Sequence, residues 1–183
     1  VYTEQVRPHF LATARALLEK AAKPLRDGGL SVAAHVVESG NHRVSELIVQ
    51  QAKEEVIAVS RAAEADRLAR SLDCLTSQDV RLRDNTLRDL RACVVELLVA
   101  ADQYRVYVVP GTPPGPETAA ILQADAERAR QRLEPDQGET LDLVVAILLG
   151  EAVGSEGLSE SPERAEAVLR FQQVCGAVTA KGV

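Results

Sequence analysis

An all-α fold is what this sequence predicts, and three observations carry the reading. Apolar residues recur at helical spacing through most of the 183 positions. Clusters of Gly and Pro separate those stretches. Only one run, 104–109, has the alternating β-branched and aromatic character of a strand. The expected architecture is therefore an irregular multi-helix bundle with one short strand-like stretch. Composition fits, since 46% apolar and 26% charged residues can form a packed core and argue against wholesale disorder.

The elements follow in chain order. Phe10, Ala14, Leu17, Leu18 and Ala21 form one helical face, which Pro24 and Gly28-Gly29 end. Pro8 belongs to a first turn or a kink, because it cannot donate to an interior ladder. The longest predicted helix runs from about Val44 to Leu72. Its apolar face is read as Val44, Leu47, Ile48, Ala52, Val56, Val59, Ala63 and Leu72, with Lys53, Glu54, Arg61, Glu64 and Arg67 mostly elsewhere. No Gly or Pro interrupts it, and at ~1.5 Å per residue it would reach roughly 40 Å.

Thr86 and Asp89 have capping-box spacing and open a helix carrying Leu87, Leu90, Val94, Leu97, Leu98 and Ala101. After the strand-like run, Gly111-Thr112-Pro113-Pro114-Gly115-Pro116 must be an extended loop. Helix is expected again over about Glu117–Leu133, and after a break at Pro135–Gly138, over Thr140–Leu149. Ser161 at N-cap and Pro162 at the first helical position then launch the last helix.

Charge and length exclude several function classes. Lys and Arg total 21 against 27 Asp and Glu, a formal net charge of -6, where a nucleic-acid binder needs a basic surface. The longest apolar run, Leu143 to Leu149, is far short of the roughly 20 residues that cross a bilayer, so neither nucleic acid nor membrane is an expected partner. Cys74, Cys93 and Cys175 are widely spaced and odd in number, which predicts reduced, small buried thiols and a cytoplasmic location. A chain that begins at Val1 and contains no Met reads as a segment of something longer.

The spacing of chemistry-bearing residues is uninformative by itself. His9, His35 and His42 have no second ligand at i+4, so no metal is expected. The Gly-rich stretches lack phosphate-loop grammar, no nucleophile elbow is present, and no cofactor is implied. Two places stand out. Tyr104-Arg105-Val106-Tyr107 sets two of the chain's three tyrosines around an arginine, which suits a carbohydrate platform; the structural alternative is a helix-ending turn whose rings cap the core. In the tail, Arg170, Gln172 and Gln173 replace the Glu and Lys of other helix surfaces, and Gly176 costs about 1 kcal/mol in a helix interior. Such residues line something or permit close packing.

The same two places carry a resemblance. The run Arg170-Phe-Gln-Gln-Val-Cys-Gly-Ala-Val-Thr-Ala-Lys-Gly-Val183 resembles the RFQQ-x-x-G-x-x-x-AKG-V segment of maltooligosyltrehalose synthases. Tyr104-Arg105-Val106-Tyr107-Val108 resembles that family's YRTYV, with Val106 in place of threonine. Gln51-Ala52-Lys53-Glu54-Glu55-Val56 and Ala65-Asp66-Arg67-Leu68-Ala69 are similar to its long helix, and Arg83-Asp84-Asn85-Thr86-Leu87 to its RD-x-T-L. The likeness covers about residues 40–183 and leaves 1–38 unmatched, so the expected division is 1–38, N-terminal helices, and 39–183, a helical subdomain.

The resemblance implies a retaining enzyme of the α-amylase clan, with a (β/α)₈ barrel and three acidic catalytic residues. It turns the reducing-end α-1,4 linkage of a maltooligosaccharide into an α,α-1,1 linkage, holding the released glucose while a glycosyl-enzyme waits in a dry pocket. The family's three acidic motifs (RxDHPDG-like, EKIL-like and HDTKR-like) are absent here, as is the EDTxFYR stretch that follows the tail. No residue of this chain therefore inherits a catalytic role. It is expected to be a helical insertion packed on the barrel, inactive alone, with the rest of the same polypeptide and a maltooligosaccharide as partners.

Lys181, Arg170, Gln173, Tyr104, Arg105 and Tyr107 are the candidate substrate contacts. Lys181 would donate to sugar hydroxyls near the reducing end; alternatively it only begins the crossing back to the barrel. Two rival readings are an autonomous all-α interaction module and a small enzyme using Cys93 or Cys175. A detached subdomain should expose an apolar patch on the tail helix, or cover it by self-association, whereas an autonomous module should bury that helix.

Overall fold

The helices form where the apolar periodicity lies, and a computed structural model describes them over residues 46–103, 107–155 and 161–182. The first predicted helices, the three histidines and the expected 38/39 boundary lie outside those residues. The chain divides into two units, Val1–Gln51 and Ala52–Val183. The smaller is described only at 46–51, which is helical.

Residues 46–60 form α1, followed by α2 (Ala62–Ser77), α3 (Leu87–Ala100), α4 (Pro116–Arg130), a 3₁₀ turn at Pro135–Gln137, α5 (Gly138–Leu149) and α6 (Pro162–Gly182). In the larger unit, α3 is packed by α2, α4, α5 and α6, and α2 lies along α6. Leu72, Leu90, Leu97, Leu122, Ile147 and Phe171 meet in one core to which all of α2–α6 contribute. Each such side chain contributes roughly 1.5–3 kcal/mol through loss of apolar surface from water.

Local chemistry explains most boundaries. The Thr86 hydroxyl accepts the Asp89 N–H at 3.2 Å, which starts α3 as its spacing predicts. Ser161 accepts the Arg164 N–H at 3.1 Å with Pro162 first in α6. Gly150 ends α5 at φ 77, a left-handed position that suits glycine. The following turn is anchored by Asp79, which accepts from the Ser155 backbone and hydroxyl. Gly154 sits there at φ 74, and a Cβ on it would lie 2.3 Å from the Asp79 carboxylate.

Three expectations need correction. The long helix is not continuous but interrupted at Arg61, without Gly or Pro. Ser60 bonds back to the Val56 carbonyl at 3.0 Å, a side-chain bond that bends helices. The inward face also differs from the expected one on both sides of Arg61: before it Lys53 and Ile57 point inward and Val59 is exposed, and after it Ala65 and Leu68 are buried and Ala63 is exposed.

The strand-like stretch is the second. Its described part, 107–109, is unpaired loop, because no other strand exists among the described residues to complete a ladder. Third, of the thiols expected to be buried, Cys93 and Cys175 are, but Cys74 is exposed.

Candidate functional site

Helix α6 is the spine on which the predicted site residues are arranged. It continues through Gly176, which is buried, so the costly glycine stands where the helix packs. One α-helical face carries Arg170, Gln173, Val174, Ala177 and, one turn further, Lys181. Arg170, Gln173, Val174 and Ala177 line a cleft of about 210 Å³ together with Arg61 and Glu64 from the interruption before α2. Arg61 donates to Glu64 at 3.0 Å and Arg170 to Glu166 at 2.9 Å, so both guanidinium groups are held by carboxylates. A local backbone hydrogen bond first, and then the bond from Arg61, hold Glu64 below the usual carboxylate range. The cleft mixes planar donors, a carboxylate and an amide over a small apolar floor, which is chemistry suited to a neutral, polyhydroxylated ligand.

The opposite side of α6 holds the tyrosine loop. Gln172, itself buried, donates to the Val108 carbonyl, and the Cys175 sulfur lies 3.6 Å from the Gln103 carbonyl. Val108 is buried while Tyr107 and Val109 are 70% and 64% exposed. Tyr104 and Arg105 lie outside the described residues. A larger cleft, about 580 Å³, opens between 108–113, the end of α5 and the start of α6. Its polar centre is Arg164, already committed to the carbonyls of Ala146, Ile147 and Glu151.

The predicted site residues are thus only partly brought together. Arg170 and Gln173 share a cleft, Lys181 is exposed in register with them, and Tyr107 stands on the other side of the helix. The sequence places Arg61 and Glu64 only on the charged side of an uninterrupted helix, which gives no reason to turn them toward the tail.

Sequence reasoning also missed a buried charge cluster. Lys53 is 2% exposed and donates to the Val99 carbonyl at 3.4 Å and to that of Ala101. Arg128 donates to the Ala100 carbonyl at 3.2 Å and pairs with Asp102 at 2.9 Å and with Asp125. Asp125 is fully buried, and one of its oxygens has no hydrogen-bond partner. Burial raises its pKa to about 6, against the lowering effect of Arg128. Burial also lowers Lys53, opposed by Asp102, Cys175 and Asp125. A faint signal was present: Lys53 falls at i−4 to Ile57, and Asp125 interrupts the apolar row Leu122, Ala126, Ala129.

Burial pushes the Cys93 thiol up to about 12, so it carries no useful thiolate at neutral pH. No group of three or more His, Cys, Asp or Glu among the described residues could hold a metal ion. No helix there is long and apolar enough to cross a membrane. Comparison with protein-family models, with curated proteins and with solved structures gives no match.

Proposed function

We propose that this chain is the non-catalytic helical subdomain of a cytoplasmic maltooligosyltrehalose synthase, walling in a sugar beside carboxylates supplied by the rest of the polypeptide. The observation that carries the reading is the tail: the residues that resemble the family's RFQQ and AKG motifs set Arg170, Gln173 and Lys181 on one outward face of α6. Their planar amide and cationic donors can hold hydroxyls without performing proton transfer, and a wall that excludes water protects a glycosyl-enzyme from hydrolysis.

The test is turnover of maltopentaose. The full reading frame that contains this chain should remove reducing ends and form a trehalose-ended product, and this chain alone should leave maltopentaose unchanged. Rearrangement by the chain alone, or none by the full protein, overturns the proposal.

A second reading, an autonomous all-α interaction module, draws on one observation. The inner face of α6, with Phe171, Cys175 and Val178, is buried within its own unit, as a self-contained bundle requires. A full reading frame without glucan-rearranging activity, together with a stable monomeric chain, would favour this module.

A further inference from the structure

The last turn of α3 ends on three successive carbonyls, those of Val99, Ala100 and Ala101, and each receives a cationic donor from another helix. Helix C-termini leave such acceptors without intrahelical partners, and positive groups there also complement the helix dipole. One of the donors is unusual in being held inside the protein. Lys53, 2% exposed, reaches in from α1, while the partly exposed Arg128 reaches over from α4 and Asp125 lies beneath it, shut off from water. Immediately beyond, the chain passes Asp102 and Gln103 on its way to Tyr107.

We infer that Lys53, Arg128 and Asp125 are positioning residues that clamp the exit of α3 and thereby fix residues 101–103, where the chain leaves the helix. This goes beyond the enzymatic reading and is independent of it, because the clamp is defined by its own bonds and its test reads the segment rather than turnover.

The clamp carries a pH dependence whose sign follows from its parts. The charged or titratable groups around it are Lys53 from α1, Asp102 at the exit, Arg128 on α4, and Cys175 on α6, which faces Lys53. While the exit is closed, Asp125 keeps its proton up to about pH 6; once opened to water it returns to the ordinary carboxylate value of 3.8. The closed state therefore binds the proton more tightly, and opening becomes easier as pH rises through that window. Above it the effect of Asp125 is constant. At alkaline pH, between the lowered Lys53 value and 10.5, the sign reverses, because losing the Lys53 charge favours the closed, desolvated state.

Amide hydrogen exchange, corrected for intrinsic rates, tests this on the full chain. The opening constant for the amides of residues 101–103 should rise about tenfold or more between pH 4 and 6.5. The amides of 143–148 in α5, away from the exit, should not follow. In Asp125→Asn the rise should vanish, and in Lys53→Met the exit amides should open more readily at every pH. No rise in the wild type, a rise shared by α5, a rise that survives Asp125→Asn, or an unchanged exit in Lys53→Met each overturns the inference. Should Lys53→Met fail to fold, the Asp125→Asn comparison decides alone, since it keeps size and the bond from Arg128.

Discussion

At its N-terminus α3 is capped by residues three positions apart; at its C-terminus the donors come from 28 to 48 positions away. The first cap lies at the surface and costs little desolvation, because Thr86 and Asp89 stay in contact with water. The second is buried at Lys53 and Asp125, where helix carbonyls and opposite charges must replace the water those groups lose, while Arg128 and Asp102 stay partly exposed. The two ends of one helix thus solve the same problem of unpaired backbone groups at different levels of structure. The buried solution is the more consequential, because breaking it leaves polar groups where water cannot repair them.

That contrast predicts unequal consequences. Lys53→Met should lower unfolding stability in urea at pH 7 by about 3 kcal/mol, since it strands the Val99 and Ala101 carbonyls at the buried end of α3. A loss within the range of a surface cap would mean that water reaches this end of α3.

Acid titration should separate the ends by sign. Asp125 is raised in the folded state, so its contribution is most favourable at acid pH and falls between about pH 4 and 6, by on the order of 2 kcal/mol relative to Asp125→Asn. Asp89 is lowered by hydrogen bonds from Gln137 and Thr86, so its contribution is present above 3.8 and lost as pH falls below it. Stability curves of Asp125→Asn and Asp89→Asn that depart from wild type in the same direction would contradict these assignments. The smallest effect is expected for Thr86→Ala, a loss of about 1 kcal/mol, measured by urea unfolding and confined to exchange in the first turn of α3.

How much of this was legible depended on the range of the interaction. The caps at Thr86 and Ser161, the break at Pro135 and the helical content all rest on neighbours in sequence, and each can be read from a few residues. The interruption at Arg61 cannot, because Ser60 bonds back to Val56 where a plain helix was equally compatible with the composition. The predicted apolar face fails on both sides of Arg61, with Ile57 inward and Val59 outward before it and Ala63 exposed after it, although Leu72 is buried as expected. The candidate site follows the same division. The spacing of Arg170, Gln173 and Lys181 fixes their shared face, but their neighbours Arg61 and Glu64 are given only by the packing of α2 on α6.

Taken alone, the order of residues determined that this protein would be helical, where several helices begin, and which side of the last helix carries polar donors. These follow from torsional preference, capping chemistry and the 3.6-residue repeat, all of which act within a turn or two. Tertiary structure alone decided that a lysine on an apparently charged helix would enter the core, that 107–109 would remain unpaired, and that the tyrosine loop and the tail cleft would flank α6 on different sides. Those outcomes depend on what distant segments offer: two carbonyls for Lys53, no partner strand among the described residues for Tyr107, and an interrupted helix for Arg170.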